Sequence, residues 1–186
     1  LYDMKKYQET LDDYTRIIEI DSNYIYAFYN RAMLLAEIGD YNHAITDLDK
    51  AVEMNPDNIL IYFNRGLLKL QVKDLHGAYN DFSESIRLYP DFVKAYMMRA
   101  MVNNEMQDYA SADNDSRQAR SIMERYRKMK EGDKNALVDT TENFQRLIDF
   151  NARTDKMRDV INGRVQDKNV IVSLQEIFCV QYQSMD

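Results

Sequence analysis

The sequence predicts a mainly α protein built of antiparallel helix pairs that repeat along the chain, followed by a C-terminal stretch of different character. Three observations carry this. The two prolines, Pro56 and Pro90, stand 34 residues apart in matching settings, Met54-Asn55-Pro56-Asp57 and Leu88-Tyr89-Pro90-Asp91. Shifting the chain by the same interval brings Phe28-Tyr29-Asn30-Arg31-Ala32 onto Tyr62-Phe63-Asn64-Arg65-Gly66 and then Tyr96-Met97-Met98-Arg99-Ala100. Gly and Pro number only 5 and 2 in 186 residues, too few for a many-turned β fold.

Each element follows from this register. Residues 1–24 read as the end of an earlier unit, carrying mainly its second helix, near 7–20. Complete units then occupy 25–58, 59–92 and 93–126. Their helices are expected near 25–38 and 41–54, near 59–72 and 75–88, and near 93–106. Gly39-Asp40 closes one helix and opens the next. Pro56 and Pro90 stop the second helices, because proline lacks an N–H and forces the preceding residue out of the helical region. Ala32, Gly66 and Ala100 face Ala44, Ala78 and Ala112, small residues that let paired backbones approach. Phe28, Tyr62 and Tyr96, with Leu48 and Phe82, are placed to fill the space between units. No unit can bury its apolar face alone, so stacking makes the core.

The unit at 93–126 departs from the rest. Glu124 stands where the proline should be and Ser116 where a large apolar residue should be, so its second helix is expected to continue from Tyr109 to about Lys130. Ile122, Met123, Tyr126 and Met129 keep an apolar stripe at helical spacing. The array thus ends near residue 131. Residues 132–186 form a second segment, with a helix from Asp139 or Thr140 to about Ala152 that sets Phe144, Leu147, Ile148 and Asn151 on one face. Beyond Gly163 the period changes to alternation. Val170, Val172, Leu174, Phe178, Val180 and Tyr182, interrupted only by Glu176, share one side of a strand that pairs through Asp167-Lys168-Asn169 with a shorter strand near 160–166, a β-hairpin.

Composition narrows the function. The net charge is −7, with 24 basic and 31 acidic residues. Residues 1–126 account for all of it, with 14 basic against 21 acidic side chains. An acidic array lacks the electrostatic footprint for nucleic acid or anionic lipid, and no apolar run reaches membrane-spanning length. Cys179 is the lone cysteine, which excludes an intrachain disulfide and a thiolate cluster; on an alternating strand it reads as a structural thiol.

No catalytic residue, cofactor or metal is expected. His43 and His76 lie near the starts of second helices without partner ligands. Asp47-Leu48-Asp49 and Asp113-Asn114-Asp115-Ser116 alternate acids as a calcium loop does, but inside helices and without its glycine and distal glutamate. No Gly-rich phosphate loop or nucleophile elbow occurs.

The 34-residue period with these small, aromatic and proline positions resembles the tetratricopeptide repeat family over residues 1–126. The resemblance implies a right-handed α–α superhelix whose first helices line a concave groove for extended peptides or partner helices. Carried over by position, the groove residues are Tyr26, Tyr29, Met33 and Glu37; Leu60, Phe63, Asn64, Leu67 and Gln71; and Lys94, Met97, Met101 and Glu105. One subclass clamps a chaperone's C-terminal carboxylates. Asn64 and Lys94 match it, but Tyr29, Met33 and Met98 replace its other polar members, so such a clamp is not expected.

Two readings of function follow. One is a non-catalytic interaction module or scaffold that holds a protein or peptide in the groove. The other is a structural spacer of a larger protein that self-associates, as a homodimer, through the C-terminal β segment. The Tyr-Asn-Arg style of the repeats resembles bacterial arrays and leans towards the cell envelope or periplasm, with the cytoplasm as alternative. Finally, Arg31, Arg65 and Arg99 recur at the seventh place of each unit and Asp47, Asp81 and Asp115 at the twenty-third. Antiparallel packing predicts an Arg–Asp ladder within the units; the functional alternative is that these arginines meet a ligand carboxylate.

Overall fold

The structure, a computed structural model, describes residues 2–132 and the side chains of 6–128. The expected helix at 140–152, the hairpin and Cys179 therefore lie outside the described residues. Within them the chain forms α1 (Tyr2–Ile20), α2 (Ile25–Glu37), α3 (Tyr41–Met54), α4 (Ile59–Gln71), α5 (Leu75–Leu88), α6 (Val93–Glu105) and α7 (Tyr109–Gly132). Each helix packs against the next in sequence, so α2–α3, α4–α5 and α6–α7 are the pairs and α1 covers the open side of α2.

The turn inside each pair repeats to the atom. Gly39, Lys73 and Gln107 all take left-handed backbone, at φ 86°, 63° and 65°. The N–H of each following aspartate returns to the fifth carbonyl before it: Asp40 to Leu35 at 2.8 Å, Asp74 to Lys69 at 2.8 Å and Asp108 to Asn103 at 2.9 Å. This closes the first helix in a Schellman motif. The same aspartate then caps the second helix, its side chain accepting from the N–H of His43, Gly77 or Ser111. One residue thus ends one helix and starts another, which makes a three-residue connection possible. Bonds from Ser111 hold the Asp108 carboxyl below its ordinary range. The residue before the left-handed position acts as a cap, so α2, α4 and α6 end one residue sooner than the sequence suggests. Helix α1 begins earlier than expected, at Tyr2, and α7 runs two residues further, to Gly132.

The core runs unbroken from Tyr29 through Leu48, Leu60, Phe82 and Ala95 to Val102, with a smaller cluster of Tyr14, Ala27 and Leu34 beneath α1. The seam inside each pair is matched in volume. Ala32 meets a unit carrying Leu48, while Gly66 meets the larger Phe82. A Cβ on Gly66 would lie 2.8 Å from the Phe82 ring, which is wholly buried. Phe28 is buried as expected; Tyr62 and Tyr96 are half-buried and pack against the core.

Candidate functional site

Two features recur along the first helices and could serve recognition: the arginines at the seventh place and the groove residues at the second, fifth and ninth.

The arginines are spent on structure. Arg31 donates from Nε and Nη2 to both oxygens of Asp47 at 2.7 and 2.7 Å. Arg65 does the same to Asp81 at 2.9 and 2.6 Å, and Arg99 to Asp115 at 2.9 and 2.6 Å. These are bidentate pairs with the carboxylates buried, the stronger kind of ion pair. Their remaining nitrogen reaches into the preceding unit: Nη1 donates to Thr15 Oγ1 at 3.0 Å, Asp49 Oδ1 at 2.8 Å and Ser83 Oγ at 3.0 Å. Each guanidinium therefore ties two successive second helices to one first helix.

The rings of Phe28, Tyr62 and Tyr96 lie against the same guanidinium groups, at 5.8, 5.5 and 5.6 Å, and the Tyr79 ring also lies 5.5 Å from that of Arg99. The Asp hydrogen bond raises Arg31 and Arg99 above their usual range against the pull of burial. In Arg65, burial is the largest influence and lowers the value, but Asp81 and Asp49 together outweigh it. Lys69 adds a second cation to Asp81 at 2.9 Å, and Asn103 donates to Asp115 at 3.1 Å. The ladder was legible in sequence. Its backward step, to Thr15, Asp49 and Ser83, was missed, although these hydrogen-bonding residues recur at the same 34-residue interval.

The groove positions divide sharply along the chain. At the fifth place Tyr29 and Phe63 are 1% and 2% exposed, while Met97 is 50% exposed. At the ninth, Met33 is buried and Leu67 half-buried, while Met101 is 45% exposed. At the second, Leu60 is buried and Tyr26 and Lys94 are half-buried. Asn64 is buried too, its side-chain amide donating to the Tyr29 hydroxyl at 2.6 Å. That bond joins the fifth place of α2 to the sixth place of α4, the next first helix. Phe63 is closed over by Phe82 and Phe92, with centroids at 5.6 and 4.8 Å. Phe92 leads into α6, the next first helix. After α6 no further first helix stands among the described residues, so Met97 and Met101 keep their exposure.

Rim charges are partly tied as well. Tyr7 donates to Glu37 at 2.7 Å, and Lys73 pairs with Glu105 at 2.8 Å. His43 Nδ1 lies 2.7 Å from its own cap Asp40, and His76 is exposed. Asp49 and Asp113 pair with Arg65 and Arg117. Among the described residues no group of three or more His, Cys, Asp or Glu could hold a metal ion, and no helix is long and apolar enough to cross a membrane.

A family described as TPR repeat matches residues 32–73. No curated protein matches the sequence. Among solved structures, MamA residues 41 to the end, from Desulfovibrio magneticus RS-1, is 18% identical with a TM-score of 0.60, covering 67% of this chain and 70% of that one. Another MamA crystal structure is 17% identical with a TM-score of 0.59, covering 83% and 88%. The second TPR of Spaghetti (RPAP3), bound to the HSP90 peptide SRMEEVD, is 19% identical with a TM-score of 0.51, covering 53% and 91%. At these identities the likeness concerns the fold.

Proposed function

We propose that this chain, an array of tetratricopeptide repeats, is a non-catalytic interaction module that holds a partner's peptide or helix along its first-helix face. The observation that carries the reading is the exposure of Met97 and Met101. They are large apolar side chains one helical turn apart, left open where Tyr29, Met33 and Phe63 at equivalent positions of earlier units are buried. Half-buried Lys94, Leu67 and Tyr26 extend the same face. Tyr29, Met33, Leu60, Phe63 and Asn64 form the floor beneath it and set its shape without touching a ligand. Methionine suits such a surface, because its unbranched, polarizable side chain adapts to varied apolar partners.

Arrays of this kind commonly serve protein–protein interaction, and the RPAP3 repeat domain in the comparison holds a peptide. The ligand differs in chemistry here. With Asn64 committed to Tyr29 and methionines at the open positions, apolar anchors are favoured over a carboxylate terminus.

The test is capture of extended and amphipathic-helical peptides from a display library by the immobilised full chain, compared with the Met97→Glu, Met101→Glu double variant. Apolar-anchored ligands retained by the natural chain and lost by the variant, with equal melting temperatures, are the expected result. The same ligands held by both chains, or none held by either, would overturn the reading. In calorimetry the peptide SRMEEVD should give no binding heat; micromolar affinity would show that a carboxylate clamp operates after all.

A further inference from the structure

The turn inside each helix pair carries large apolar or aromatic side chains at two fixed places. Ile38, Val72 and Met106 follow the first helices, and Tyr41, Leu75 and Tyr109 open the second ones. Tyr41, Leu75 and Met106 are half-buried and pack against the core, whereas Ile38, Val72 and Tyr109 are exposed, Tyr109 to 67%. Successive turns touch along this edge. Lys73 Nζ lies 2.8 Å from Glu105 Oε2, which joins one turn to the end of the next first helix. Tyr7, 34 residues before Tyr41, reaches Glu37 at 2.7 Å in the same way. Single exposed apolar side chains are ordinary on a surface; here they recur at every turn of contiguous units and form a row.

The row runs through acid. Residues 37–43, 71–77 and 105–111 hold Glu37, Asp40, Asp74, Glu105 and Asp108 against Lys73 alone, four of the seven net negative charges of the whole chain, with His43 and His76 neutral at pH 7. Asp40, Asp74 and Asp108 are held there by capping the second helices. A cap is needed at every turn, so the acidity recurs in step with the apolar side chains. We propose that this turn edge is a second docking surface, for a basic amphipathic segment of a partner protein. Its apolar side chains seat on Ile38, Val72 and Tyr109, and its lysines or arginines meet the acids beside them. Phosphate-bearing partners are repelled by the same acids.

The edge stands beside the Met97–Met101 face and is separate from it, since Ile38 and Val72 follow α2 and α4 and Tyr109 opens α7. A partner held at the turns leaves the groove free. One chain can therefore join two proteins, one through apolar anchors on α6 and one through apolar and basic side chains at the turns. That joining role rests on the groove reading above; the edge itself does not.

The test selects displayed short peptides on the full chain carrying Met97→Glu and Met101→Glu, which removes the groove's open apolar anchors from the bait. Retained peptides should be rich in Lys and Arg with apolar residues between them. Their affinity should fall about tenfold when Val72→Asn and Tyr109→Asn are added to the bait, and about tenfold when salt is raised to about 0.5 M. No retained peptide, peptides without basic residues, or equal affinity with and without the added substitutions would overturn the proposal. A photo-crosslinking residue in the otherwise natural chain gives a reading that needs no weakening substitution. At position 109 it should capture the selected peptides; at position 123, about four helical turns further along α7, it should not. Crosslinks as strong at 123 as at 109, or none at 109, contradict the edge. Failure here leaves the groove reading standing, because the bait lacks those methionines. A natural chain that captures nothing through Met97 and Met101 sinks the groove reading and leaves the edge standing.

Discussion

The units at 25–92 and the unit at 93–132 follow one plan, yet they present opposite surfaces. In the former, the first-helix face is interior: Tyr29, Leu60, Phe63 and Asn64 are closed in by whatever follows them. In the latter, the same face carries Met97 and Met101 in the open. The seam inside the pair changes too, from Leu48 and Phe82 to Ser116, whose hydroxyl turns back to the Ala112 carbonyl. What stays constant is the turn and the arginine clamp. In a repeat array, then, local chemistry fixes the helix pair, whereas exposure is a property of the neighbour. Identical positions become core or surface according to what is stacked on them.

Four measurements break or sharpen that comparison, from large effects to small. Phe63→Ala should cost about 3–5 kcal/mol in denaturant unfolding, whereas Met97→Ala, at the same place in the last unit, should stay within about 1 kcal/mol. Similar costs would erase the distinction between the two regions. Arg65→Met leaves Asp81 and Asp49 without the guanidinium that joins two units and should cost about 3 kcal/mol. A variant with unchanged melting temperature would return the arginine to the ligand-binding alternative.

Next, Gly66→Ala should lose about 2 kcal/mol against the Phe82 ring, and Phe82→Leu should relieve most of the added strain, because Ala32 and Leu48 already form that combination. Independent, additive effects in the double-mutant cycle would show that the seam is not matched in volume. Smallest is Gln107→Gly, which should gain about 0.5–1 kcal/mol by relieving a left-handed residue that Gly39 occupies without strain. A loss of stability there would mean that the Gln107 side chain matters more than its backbone.

Much of the array was legible because its signals are local and repeated. Pro56, Pro90 and the Gly39-Asp40 turn set the boundaries to within a residue or two for the helices between them, and the Arg–Asp step within a unit gave the ladder. The helix ends at Glu37, Gln71 and Glu105 were less legible, since nothing in Ile38, Val72 or Met106 announces a cap. The groove was legible only as a set of positions. Whether Tyr29 is a contact or a floor depends on Asn64, 35 residues away, and no periodicity within one helix encodes that. The backward contacts of the arginines were obscured because Thr15, Asp49 and Ser83 differ in kind, although each offers an oxygen to an N–H donor.

The most direct test uses methionine methyl groups as reporters. With carbon-13 methyl methionine in the full chain, addition of a captured apolar-anchored peptide should shift the Met97 and Met101 signals and leave buried Met33 in place. Shifts at Met33 with α6 silent would contradict an account in which the final unit's exposed first-helix face is where this protein meets its partner.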